Sequence, residues 1–173
     1  MNPMRSIKVE KLTLNFGAGK ENVRLEKGIK LLNKLTGIPP VSTVTMKRIP
    51  TWGLRPGLPI GCKITLRGNS AREMLTRLLT ARDHKLKETQ FDEQGNIAFG
   101  NPEYIDVPGM KYEPELGILG FEACITLIRP GYRIKMRRIR AAKIPKRHRI
   151  TREEAQHFMH DAYKVNIIRR GEE

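Results

Sequence analysis

Four sets of residues have types and spacings that could do chemistry, and each fails a specific requirement. Asn15-Phe16-Gly17-Ala18-Gly19-Lys20 sets two glycines ahead of a lysine, as phosphate-binding loops do. A nucleotide P-loop needs Gly at position 14 and Ser or Thr at position 21, where Leu14 and Glu21 stand. As a dinucleotide motif it lacks the third Gly. What remains is a tight turn whose glycines would let an RNA backbone or base approach Asn15. His157 and His160 lie three apart on a predicted helix, but zinc sites bring ligands in close pairs. Cys62 and Cys124 stand far apart, each on an apolar strand. Cys62 alternates with Ile60, Ile64 and Leu66, which marks a small core residue and not a nucleophile. The carboxylates Asp92, Glu93, Glu113 and Glu115 fall in polar, turn-like sequence with nothing to perturb them. No catalytic residue, metal or cofactor is predicted, and the chain reads as a non-enzyme.

The chemistry that does stand out is cationic. Lys and Arg number 33 against 18 acids, a net charge of +15 on 173 residues. Eight of the cations fall in residues 28–72 and ten in 129–149, and neither window holds an acid. Those windows carry +18, so everything else sums to −3. Solubility alone would not need such segregation, whereas a nucleic acid rewards it through counterion release. An anionic membrane is the bland alternative. It prefers a basic amphipathic helix, which Pro130, Gly131 and Pro145 interrupt in the second window. No apolar run is long enough to span a bilayer, and the N-terminal residues lack a signal-like apolar segment. With two lone cysteines, a reducing cytoplasmic setting is expected. Within the first window the single Trp, Trp52, sits beside Lys47, Arg48 and Arg55 in a Pro- and Gly-rich loop. Exposed, it would stack on a base or ribose; alternatively it folds back onto the domain. In the second window Tyr132, Ile134, Met136, Ile139 and Ile144 are interleaved among Arg133, Lys135, Arg137, Arg138, Arg140, Lys143, Lys146, Arg147 and Arg149. That favours a segment ordered along RNA over a solvated tail.

Elements must hold these groups in place. Residues 6–15 read as a strand whose apolar parity changes near Glu10-Lys11, as a bulge would produce. Leu25, Ile29, Leu32 and Leu35 give a helix, stopped by Gly37 and by Pro39-Pro40. Residues 41–47 form a second strand, followed by a loop over 48–59. Ile60, Cys62, Ile64 and Leu66 then alternate with Gly61, Lys63, Thr65 and Arg67, the clearest strand in the chain. Ser70 to Glu73 has the form of a capping box ahead of a helix that buries Met74, Leu75, Leu78 and Leu79. Short strands are expected near 97–99 and over 121–128. A second capping box, Thr151 to Glu154, opens a helix to about Tyr163 with Phe158, Met159 and Ala162 inward, and fraying is expected from about 167. The order implies an α+β fold: a largely antiparallel sheet with helices packed on one face and an RNA-binding face on the other. Residues 1–128 would be the core, and 129–173 a basic C-terminal extension within the same domain.

In this order the motifs resemble large-subunit ribosomal protein number five, the family that anchors 5S rRNA. They are Asn15 to Gly19, Leu35-Thr36-Gly37 with Pro39-Pro40, residues 57–68, 91–100 and 105–114. The basic run from Lys143 to Arg149 is similar to archaeal members. The resemblance covers residues 2–163 and implies a non-catalytic component that fastens 5S rRNA into the central protuberance. It implies that Asn15, Gly17, Gly19, Thr43, Thr45, Lys47, Lys63, Thr65 and Arg67 meet 5S rRNA. Arg48, Trp52 and Arg55 would approach peptidyl-site tRNA, and the basic extension would contact large-subunit rRNA or neighbouring proteins. The rival readings are a free-standing RNA-binding regulator and an RNA-modifying enzyme.

Overall fold

Period-two alternation builds the sheet. In the computed structural model, which describes residues 2–168, β1 (Lys8–Gly17) buries Leu12, Leu14 and Phe16. β2 (Val41–Val44) is an edge strand beside β3 (Pro59–Arg67), where Cys62, Ile64 and Leu66 are buried and Lys63, Thr65 and Arg67 exposed. β5 (Ile97–Asn101) and β6 (Phe121–Ile128) alternate in the same way, burying Ile97, Phe99, Phe121, Ala123, Ile125 and Leu127. The strand order is β2-β3-β1-β6-β5 in a mostly antiparallel α+β sheet. Each fully buried Leu, Ile or Phe on the inner face contributes roughly 1.5–3 kcal/mol.

The helices carry apolar stripes of their own. α1 (Asn22–Thr36) buries Leu25, Leu31, Leu32 and Leu35, and Gly37 ends it at φ +71° with its N–H donating to the Asn33 carbonyl. Gly28 of α1 lies against the Phe16 ring, closer than any side chain larger than hydrogen would permit. α2 (Gly68–Thr80) buries Met74, Leu75, Leu78 and Leu79 as the sequence predicts. It starts two residues before the expected Ser70 cap. Gly68, at φ +66°, turns the chain straight out of β3, and Arg67 is the N-cap with no side-chain cap bond. α3 (Arg152–Tyr163) opens on the predicted box. Thr151 Oγ1 accepts from Glu154 N–H, and Glu154 Oε2 accepts from Thr151 N–H. Its buried residues are Ala155 and Met159, while Phe158 is half-buried and Ala162 exposed, so the inward stripe is narrower than expected. Residues 167 and 168 are not frayed. Asn166–Ile168 is strand β7, paired in parallel with β4 (Lys85–Lys87) in register Lys85↔Asn166. The remainder of that expectation, 169–173, lies outside the described residues.

Two compact units divide the chain. One comprises Thr13–Leu66 and Phe99–Cys124, with α1, β2 and the loop between β2 and β3. The other comprises Arg67–Ala98 and the segments up to Leu12 and from Ile125 onward, with α2, α3, the β4–β7 pair and the second basic window.

Candidate nucleic-acid interface

A strand that buries one side must display the other, and β3 displays Lys63, Thr65 and Arg67 to solvent. Across the β2–β3 ladder Val41 faces Lys63 and Thr43 faces Gly61, so Thr43 shares the outward face with Lys63. The register slips between Thr43 and Val44, and such irregularities re-aim the side chains that follow. Thr45 is accordingly turned inward, 7% exposed, its Oγ1 donating to the Lys47 carbonyl at 3.1 Å. It shapes the turn and does not lie on the displayed face. Lys47 beyond it is exposed.

On β1 the outward parity brings Asn15 to the same side. Its Nδ2 donates to Glu122 Oε2 on β6 at 3.2 Å. Directly after it, the N–H groups of Ala18 and Gly19 both donate to the Ile60 carbonyl, at 2.9 and 3.0 Å, which pins the turn. Gly19 sits at φ +66°, and a Cβ at Gly17 or Gly19 would meet nothing within 4 Å. The backbone there is open to close approach, as the sequence pattern requires.

The loop between β2 and β3 is a small closed hairpin. Ile49 and Leu54 exchange N–H···O bonds at 3.1 Å each, and Leu54 is buried as its anchor. A 3₁₀ turn, Pro50–Trp52, caps it, with Gly53 at φ +67°. Trp52 at the tip is 67% exposed, so it does not fold back, and Arg48 and Arg55 flank it in solvent. A Cβ on Gly53 would stand 3.8 Å from Lys20 Cδ, so Lys20, which sequence reasoning left out, joins this cluster.

The second unit holds the other cations. The 129–149 segment is tied at its base. Arg129, only 4% exposed, donates through Nη2 to Glu154 Oε1 at 2.7 Å and through Nη1 to the Arg149 carbonyl at 3.2 Å. Tyr132 Oη accepts from Ile150 N–H at 3.0 Å and donates to the His148 carbonyl at 3.2 Å. His148 Nε2–H donates to the Pro130 carbonyl at 3.0 Å, and the His148 and Tyr132 rings meet edge to face. Ile144 and Ile150 are buried beneath. All nine predicted cations, Arg133, Lys135, Arg137, Arg138, Arg140, Lys143, Lys146, Arg147 and Arg149, are exposed. Burial raises the Glu154 pKa, but the Thr151 N–H and the Arg129 guanidinium outweigh it and hold the carboxyl below the usual range.

Two carboxylates on the polar face escaped sequence reasoning. Glu122 holds Asn15, and Glu10 pairs with Arg67 Nη1 at 3.2 Å. Val9, Glu10 and Lys11 are all half-buried, so the burial alternation of β1 is clear only from Leu12 onward. Burial pushes the Cys62 thiol up to about 11, which keeps it protonated and inert. Among the described residues no group of His, Cys, Asp and Glu is arranged to hold a metal ion, and no helix is long and apolar enough to cross a membrane.

Comparison with known proteins matches residues 2–55 to the family model described as ribosomal protein L5, and residues 59–159 to the model for the C-terminus of the same ribosomal family. The large ribosomal subunit protein uL5 of Sulfurisphaera tokodaii is 46% identical over 97% of this chain and 96% of its own length. That of Nanoarchaeum equitans is 49% identical over 96% of this chain and 99% of its own. That of Methanobrevibacter smithii is 42% identical over 97% and 99%.

Proposed function

This chain belongs to the ribosomal protein L5 family, and from that premise we propose that it is a non-catalytic component of the large ribosomal subunit in the cytoplasm. In this reading it binds 5S rRNA and attaches it in the central protuberance. Its other partners are large-subunit rRNA, neighbouring large-subunit proteins and the peptidyl-site tRNA. Residues 1–128 form the RNA-binding core and 129–173 its basic extension within the same domain.

The observation that carries the reading is the displayed face of β3 and β2. Lys63 and Arg67 supply charge, Thr43 and Thr65 supply hydroxyls, and an apolar inner face fixes their direction. Cations grip phosphates without reading sequence, while hydroxyls, Asn15 and the open glycine turn respond to the shape of a folded RNA. Trp52, Arg48 and Arg55 at the hairpin tip suit an exposed base or ribose of tRNA. The exposed cations of 129–149 suit adjoining rRNA.

The test is a pull-down with the tagged, full chain. It should co-sediment with large subunits and recover 5S rRNA selectively. Equal recovery of unrelated duplexes would favour a free-standing RNA-binding regulator. Lys63→Glu with Arg67→Glu should weaken 5S binding at least tenfold without loss of fold, and unchanged affinity at moderate salt would remove this face from the interface.

A further inference from the structure

Inside the tied basic segment, the 3₁₀ turn Tyr132–Lys135 and the returning chain enclose a cleft of about 250 Å³. Gln94, Tyr132, Lys135, Lys143, Ile144 and Arg149 line it. We infer that this cleft is a preformed seat for a single phosphate group of the RNA backbone, held jointly by Lys135, Lys143 and Arg149. The inference rests on the RNA-binding reading and adds a defined subsite to it.

Size is the first argument. The volume equals about eight waters at roughly 30 Å³ each, and it falls below the ~300 Å³ where small-molecule sites begin. A phosphate group with part of its sugar fits. Charge is the second. Three cations and no carboxylate line the cleft among the described residues, so its potential favours an anion. Pre-organisation is the third. Arg149 Nε donates to the Ile144 carbonyl at 3.4 Å, which orients the guanidinium. Tyr132 is fixed by its two hydrogen bonds, and Ala142 N–H donates to the Ile134 carbonyl at 3.2 Å, joining the two sides of the cleft. A ligand therefore meets cations whose backbone is already ordered, which lowers the entropy cost of binding. Arg137, Arg138 and Arg140 at the apex stand outside the cleft.

The experiment measures rRNA affinity against salt for the full chain, for Lys135→Ala with Lys143→Ala and Arg149→Ala, and for Arg137→Ala with Arg138→Ala. Three cations sharing one phosphate should lower the slope of log K against log salt by about 1 when all are removed. The apex pair, meeting separate phosphates, should lower it by about 2. A drop of about 2 or more for the cleft variant overturns the shared seat, and no drop removes the cleft from the interface. A second arm adds inorganic phosphate in place of chloride at equal ionic strength, and follows the ring signals of Tyr132 and His148 by NMR. Phosphate should shift both signals in the parent and not in the cleft variant. If phosphate shifts them while rRNA affinity ignores the variant, the RNA-backbone seat is overturned and the cleft takes a free anion instead. If the parent shows no rRNA binding at all, the functional reading fails, and the phosphate arm still decides the cleft.

Discussion

Trp52 is the residue whose role separates most cleanly from stability. With 67% of its surface in solvent, little of its side chain is buried against the protein. Trp52→Ala should therefore leave the melting temperature nearly unchanged, while losing about 1–3 kcal/mol of affinity if one base stacks on it. That is about fivefold to more than a hundredfold in tRNA binding, read by titration. As the chain's single Trp, its fluorescence should also be quenched by the RNA that stacks on it. Undiminished affinity of the variant would make the hairpin tip a bystander. Glu10 works in the opposite sense. It holds Arg67 with its carboxylate at the edge of a surface that must meet phosphates. With the Arg67 side chain 59% exposed and Glu10 15%, solvent screens the pair from the arginine side, and it is worth roughly 0.2–1 kcal/mol. Glu10→Gln should release the guanidinium and raise RNA affinity by up to about fivefold, and a fall in affinity would show that the pair positions Arg67 usefully.

At the scale of elements, α3 is the anchor for the basic segment. Glu154, in its first turn, both completes the capping box and neutralises the buried Arg129 guanidinium. Glu154→Gln should cost about 1.5 kcal/mol, the low end for a hydrogen bond to a charged group. The low end applies because the carboxylate side is 39% exposed and two carbonyls still hold Arg129. The folded-state pKa of Glu154 lies below the ordinary 4.5, so this contribution is complete above pH 4.5 and is lost as pH falls through the lowered native value. Melting curves of parent and variant should differ at neutral pH and converge in acid; a constant gap would mean the carboxylate charge is not what matters. These elements also show what local sequence can reveal. β3 is legible because a half-buried strand writes its burial into alternate residues, and α3 because its cap and stop are local. The Ser70 cap misleads because Gly68 at positive φ can begin a helix without one. β4 and β7 are three-residue strands, too short for any period, and exist only through a pairing between Lys85–Lys87 and Asn166–Ile168. The displayed cations were legible for the same reason as β3. Thr45 and the two face carboxylates were not, since a register slip and cross-strand neighbours are set by pairing and not by the local run.

For the whole molecule, the decisive quantity is how much of its recognition is charge. A net +15, concentrated in two acid-free windows, guarantees attraction to any polyanion at low salt. If about 6–10 phosphates are engaged, affinity should fall by about 10³–10⁵ between roughly 50 and 200 mM salt. That fall is common to all RNA of similar charge and carries no selectivity. Selectivity must come from contacts that salt does not screen: Asn15, the hydroxyls of Thr43 and Thr65, and the open backbone at Gly17 and Gly19. Titrations of 5S rRNA and of an unrelated duplex of equal length should then run parallel against log salt, separated by a constant offset. Removing the unscreened contacts together, as in Asn15→Ala with Thr65→Ala, should narrow the offset and leave the slope alone. Charge reversal at Lys63 and Arg67 should do the reverse and flatten the slope for both RNAs. Should the offset in the parent vanish as salt rises, the preference for 5S rRNA would be electrostatic after all, and the shaped face of the sheet would be merely a place where cations happen to lie.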